Sequence, residues 1–239
     1  MTSFRHSSAR HALPDAILGG LFRLTRRAET SASLFAEPLG PAGDGLLLPR
    51  FVVFGDHTTD ADARIAILAG FDSADTVASE TAIQFIESVA TDPASAGGVV
   101  LDVVPVLNRG AGDRWTACWL DSEHPEIRVL EREYRRLPPH AVVKVRTARP
   151  GEPLRIQVFG TPLSLWLDGA AGEFRALPWE TAEHRAALPD GIAGFIEDLP
   201  FRPLELHLTL PADDLGFNVG LLHLVVQRIR EILSHAQYL

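Results

Sequence analysis

Short apolar runs recur along this chain and alternate with stretches of helical periodicity. The clearest runs are "FVVFG" at 51–55, "RIAILAG" at 64–70, "GGVVLDVVPVLN" at 97–108 and "AVVKVRTA" at 141–148. A strand that is apolar at successive positions, and not only at alternate ones, must be covered on both faces. Between the runs, Val77, Ala82, Phe85, Ile86 and Val89 repeat at helical spacing within 76–90, and 122–137 carries a second helical pattern with Ser122 as its cap. An amphipathic helix is expected from Pro14 to Arg27, with Ile17, Leu18, Leu21, Phe22 and Leu24 inward. Another closes the chain from Leu215 to Gln237, after strands at 154–160 and 204–211. The segments 46–55 and 64–70 read as two strands of a hairpin around "DHTTDAD". Residues 37–45 read as loop, and 161–203 as proline-rich loop with short helical pieces. The expected architecture is one three-layer α/β/α sandwich with a mixed, largely parallel sheet, spanning 1–239 as a single domain with 1–12 loose.

Composition narrows the function classes. A net charge of −9 opposes nucleic-acid binding, because phosphates are neutralised by clustered Lys and Arg. No apolar run reaches the roughly 20 residues of a membrane span. The stretch "AILGGLF" at 16–22 lacks the length and cleavage site of a secretory signal, so a cytoplasmic protein is expected. The single cysteine, Cys118, excludes an internal disulfide and a cysteine-rich zinc module.

Function is expected in "AGFDSAD", residues 69–75, because ligands gather beyond the carboxyl ends of strands in open α/β sheets. The ordered series "LPRFVVFG", "RIAILAG", "VVLDVVPVLN", "SEHPEIRVLEREYRRL" and "LELHLTLP" followed by a long helix resembles the zinc carboxypeptidase family. The likeness runs over residues 45–237 and is nearest to the branch of succinylglutamate desuccinylase and aspartoacylase-like proteins. It implies a carboxypeptidase-like (phosphorylase/hydrolase-like) fold. It also implies a zinc site of two His and one Glu, whose open position lowers the pKa of a water toward about 7, with a separate Glu as base.

Laid on those positions, this sequence lacks the chemistry. The first His falls on Asp72, the Glu ligand on Asp75, the third His on or beside Arg146, and the base near Thr209. The Asn-Pro turn keeps Asn108 but has Arg109, and the family's later Asn-Arg pair is missing near "TACW". The expectation is a protein without cofactor that has lost metal ligands and base, with Asp72 and Asp75 capping a helix and Arg146 pairing with one of them. Asn108, Arg109, Arg114 and His207 are candidate contacts for a small anionic ligand, and a protein partner is the other candidate.

The alternative is a metal-dependent hydrolase, a peptidase or a deacylase of N-acyl amino acids, holding zinc or a harder cation through Asp72, Asp75 and His207. His57 reads as a solvated loop residue at the opposite end of the sheet. His124 and His140 read as surface residues, while His184, His223 and His235 have no partner at metal spacing. Ser73 lacks a nucleophile elbow, Cys118 between Trp115 and Trp119 reads as a small hydrophobe, and the glycine pairs form no phosphate loop.

Overall fold

The computed structural model describes residues 13–40, 47–57, 63–108, 124–159, 180–184 and 203–236. The helices are α1 (Asp15–Ala28), α2 (Thr76–Thr91), α3 (Pro125–Arg136) and α4 (Leu215–Ala236). The strands are β1 (Leu34–Ala36), β2 (Phe51–Phe54), β3 (Ala63–Leu68), β4 (Val99–Val104), β5 (Ala141–Thr147), β6 (Arg155–Phe159), β7 (Glu180–His184) and β8 (Leu204–Leu210). They form one sheet in the order β1-β2-β4-β3-β5-β8-β6-β7. β4, β3, β5 and β8 run parallel, while β2 and β6 run antiparallel to their inner neighbours.

The apolar runs have the two-sided burial they demand: every residue of β4 and of β8 is buried. Alternate residues face different layers. Val143 and Val145 of β5, with Leu206, Leu208 and Leu210 of β8, pack with α1, α2 and α4. Val142 of β5 faces the other way, with Ala66, Leu68, Ile127, Leu130 and Tyr134 under α3. Each fully buried aliphatic side chain contributes on the order of 1.5–3 kcal/mol before entropy is charged against it. The result is the expected three-layer sandwich with a mixed, largely parallel sheet.

A buried ion pair joins β2 to the sheet centre. Arg50, just before β2, donates from Nε to Asp102 Oδ1 at 2.9 Å and from Nη2 to Oδ2 at 2.8 Å. Its Nη1 reaches Glu133 of α3 at 3.1 Å.

Several local expectations are corrected. The β2–β3 hairpin does not form; β4 lies between the two strands, because the β3–α2–β4 crossover seats β4 parallel beside β3 and leaves its other edge to β2. A strand, β1, precedes the 37–45 segment and pairs with β2. β7 lies within the stretch read as loop and helical pieces. On α1, Ile17, Gly20 and Leu24 turn inward, while Leu18 and Phe22 are 44% and 67% exposed. The small Gly20 lets α1 approach Ile83 closely, which rotates the buried stripe away from Leu18 and Phe22. α3 begins at Pro125 with His124 at its cap position, and Ser122 lies outside the described residues.

Two half-buried histidines make stability pH-dependent. His140 Nδ1 accepts the Arg64 N–H at 3.0 Å, and His223 Nε2 lies 2.7 Å from Ser88 Oγ with its ring against Phe85. Burial lowers both pKa values below the usual 6.5; for His140 the Arg64 charge adds to this, and for His223 the Asp92 charge opposes it. The unfolded chain therefore binds more protons below that value, so this stability is present at neutral pH and lost as pH falls through about 6.5. The urea midpoint is expected to drop between pH 7 and 5.5, and the H140Q/H223Q variant to flatten that limb. A wild-type midpoint constant across the window would contradict the assignment.

Candidate functional site

The carboxyl ends of β3, β4, β5 and β8 share one edge of the sheet, because these strands are parallel. The chain leaves β3 through Gly70, whose φ of 66° is in the left-handed region. A Cβ there would lie 2.7 Å from Ser79 Oγ and 2.9 Å from Val106 Cα, so glycine is required twice over. Asn108 is fully buried; its N–H donates to Gly70 O at 2.8 Å and its Nδ2 to Phe71 O at 3.1 Å. Its side chain braces the loop from behind, which is a structural task and leaves its amide nitrogen engaged.

Asp72 and Asp75 are both used by the backbone. Asp72 Oδ1 accepts the Ala74 N–H at 2.9 Å in an Asx turn. Asp75 caps α2, its Oδ1 accepting the Ala78 N–H at 3.1 Å. The same carboxylate reaches across to β5, where Oδ2 accepts the Thr147 N–H at 2.7 Å and Oδ1 accepts the Thr147 hydroxyl. Asp75 thus pins the start of α2 to the end of β5.

Arg146 corrects one expectation. Its guanidinium pairs with neither Asp72 nor Asp75 but grips Glu152 through both terminal nitrogens, Nη1 to Oε2 at 2.8 Å and Nη2 to Oε1. The reason is local: Arg149, Pro150, Gly151 and Glu152 form a tight turn, with Gly151 at φ 82° and the Glu152 N–H bonded to Arg149 O at 2.9 Å. The turn delivers the Glu152 carboxylate back onto Arg146, while Asp75 is held by Thr147 on the other face of β5. The Arg146 hydrogen bond holds the Glu152 carboxyl below the usual carboxylate range. Asp72, Asp75 and Arg146 nevertheless line one open cavity of about 280 Å³, with Phe71, Val77 and Arg149.

Thr209 is buried on β8, in register with Arg146 on one side and Arg155 on the other. Two positions deeper on the same face, His207 Nε2 lies 2.9 Å from Glu205 Oε1, both side chains buried. Lys144, opposite His207 on β5, is also buried and places Nζ 5.0 Å from the Phe71 ring centroid. His207 is thus set back from the cavity and forms no cluster with Asp72 or Asp75. Sequence reasoning passed over Glu205, Lys144 and Glu152. The first two showed only as charges inside otherwise apolar strands, and Glu152 sat within "RPGEP", which reads as turn punctuation. Arg109 and Arg114 lie outside the described residues. His57 is 92% exposed at the opposite edge of the sheet.

These residues do not fit zinc. Arg146 brings a guanidinium to the cavity, Asp72 Oδ1 is taken by a backbone amide, and both oxygens of Asp75 are taken by backbone amides and a hydroxyl. Among the described residues no three of His, Cys, Asp and Glu come together as a metal-holding group. No described helix is long and apolar enough to cross a membrane.

The sequence matches no family model and no curated protein. Solved structures do match its fold. A metallo-carboxypeptidase from Burkholderia cenocepacia aligns with a TM-score of 0.65 at 13% identity, over 89% of this chain and 68% of that one. A metallo-carboxypeptidase from Pseudomonas aeruginosa, solved with (2-guanidinoethylmercapto)succinic acid, aligns at 0.59 and 14% identity over 89% and 67%. Thrombin activatable fibrinolysis inhibitor aligns at 0.62 and 14% identity over 92% and 72%. The chain has a carboxypeptidase-like fold; identities this low speak to fold alone.

Proposed function

We propose that this protein is a non-catalytic relative of the zinc carboxypeptidases, in which the old metal site has become a small binding cavity. The observation that carries this reading is the occupation of Asp75: three donors from α2 and β5 converge on the carboxylate that falls at the family's Glu ligand. A carboxylate satisfied in this way has little to gain from a cation. Arg146, which lines the same cavity, cannot act as a metal ligand, because its guanidinium has no acceptor atom. Thr209, at the place of the base, has no group that takes up a proton at neutral pH. The open cavity of about 280 Å³ supports a ligand-binding role over a purely structural one. Resemblance to the desuccinylase and aspartoacylase-like branch belongs to the same proposal, resting on the order of segments.

Thermal unfolding with added zinc tests the reading. A site whose dissociation constant lies a hundredfold below the free metal would stabilise the fold by about 2.7 kcal/mol. For a chain of this size that amounts to roughly 5–10 °C in Tm. No shift is expected with zinc or magnesium. A saturable rise of that size, abolished by D75N, would support a metal-dependent hydrolase instead.

A further inference from the structure

We infer that Glu152 is an internal stand-in for a ligand carboxylate, and that Arg146 is the group that a carboxylate-bearing small molecule takes over when it enters the cavity. This rests on the binding-cavity reading above and names the chemistry of its ligand.

β5 and β6 are not neighbours; β8 lies between them. The link from Ala148 to Leu154 must therefore pass over the carboxyl end of β8, where Thr209 stands. The Pro150–Gly151 turn in that link fixes where Glu152 emerges, since proline presets its own φ and glycine supplies the positive φ of 82°. Pro153 further restricts Glu152 to extended backbone. The side chain then meets the Arg146 guanidinium in the two-bond fork that planar carboxylates make, and its Oε2 also accepts the Arg149 N–H at 3.2 Å. Both partners keep 20% of their side-chain surface open to solvent, so the fork can exchange without unfolding the strand end. Arg146 and Arg149, which hold Glu152, both line the cavity, so an arriving carboxylate meets these two residues there.

The exchange costs little in bonds, because one carboxylate replaces another on the same guanidinium. What opposes it is the effective concentration of the tethered Glu152, in the millimolar range for short connections. The tether thus sets a threshold: weak or dilute carboxylates are refused, and a ligand that also fills the apolar wall of Phe71 and Val77 is admitted. No covalent step is involved.

The test compares malonate with the neutral malonamide by isothermal titration on the full chain, wild type and E152Q. E152Q is expected to bind malonate at least tenfold more tightly than wild type, with no gain for malonamide, and R146Q/E152Q to lose the gain. Circular dichroism of each variant separates misfolding from lost binding, and E152D, with a carboxylate one methylene shorter, should lie between. No gain in a folded E152Q, or a gain that survives R146Q, would overturn the inference. Metal retained by the wild-type protein would instead overturn the reading on which it rests, so the two failures are distinct.

Discussion

Replacing Arg50 with methionine is expected to cost roughly 3–5 kcal/mol, the usual penalty for leaving one member of a buried ion pair without its partner. Asp102 is 1% exposed in the middle of β4, and both of its oxygens are held by Arg50. Without that guanidinium, Arg64 at 3.7 Å is the remaining cation near it. The stranded carboxylate would have its pKa raised, so the defect should be largest at neutral pH and shrink as acid protonates Asp102. The double variant R50M/D102L removes both charges from an apolar setting and should recover most of the loss. Urea unfolding of the two single variants and the double variant measures this as a cycle. A deficit below about 1 kcal/mol in R50M, or a double variant no better than the single, would show that the pair does not carry β2 onto the sheet.

Asp75→Ala is expected to destabilise by about 3 kcal/mol, combining a helix cap of about 1 kcal/mol with the stronger hydrogen bonds that a charged acceptor makes. The loss is larger than for an ordinary cap because the same carboxylate also holds the end of β5 through Thr147. T147V, which removes the hydroxyl and keeps the backbone N–H, should lose a smaller part of it. The size of this effect separates a tether from a metal ligand: a tether weakens the fold whatever ions are present. A D75A variant as stable as wild type in metal-free buffer, and less stable than wild type only when zinc is added, would assign Asp75 to a metal.

The architecture was legible because burial leaves a direct trace in composition. A run such as "VVLDVV" is apolar at successive positions save Asp102, so β4 had to be covered on both faces, and the helices between runs had to cover it. What the runs do not encode is which neighbour each strand takes. That is why the adjacent runs of β2 and β3 suggested a hairpin, although the chain places β4 between them. Edge strands leave less trace still; β1 has three residues and one of them, Phe35, is 40% exposed.

Of the candidate residues, Asp72, Asp75 and Arg146 line one cavity, and their pairings were not legible. The helix-capping role of Asp75 follows from chemistry that acts over three residues, and it is present as expected. The partner of Arg146 depends on how a glycine-containing turn folds back, which the residue types alone do not fix. Lys144 escaped for a similar reason, since its place opposite His207 depends on the pairing of β5 with β8, two strands far apart in sequence.

The most direct test of the proposal that this cavity holds no metal is elemental analysis of the purified protein after exhaustive dialysis without chelator. The expected result is far less than one transition metal per chain, unchanged in D75N. One equivalent of zinc, lost in D75N, would contradict it and return the protein to the metal-dependent hydrolases.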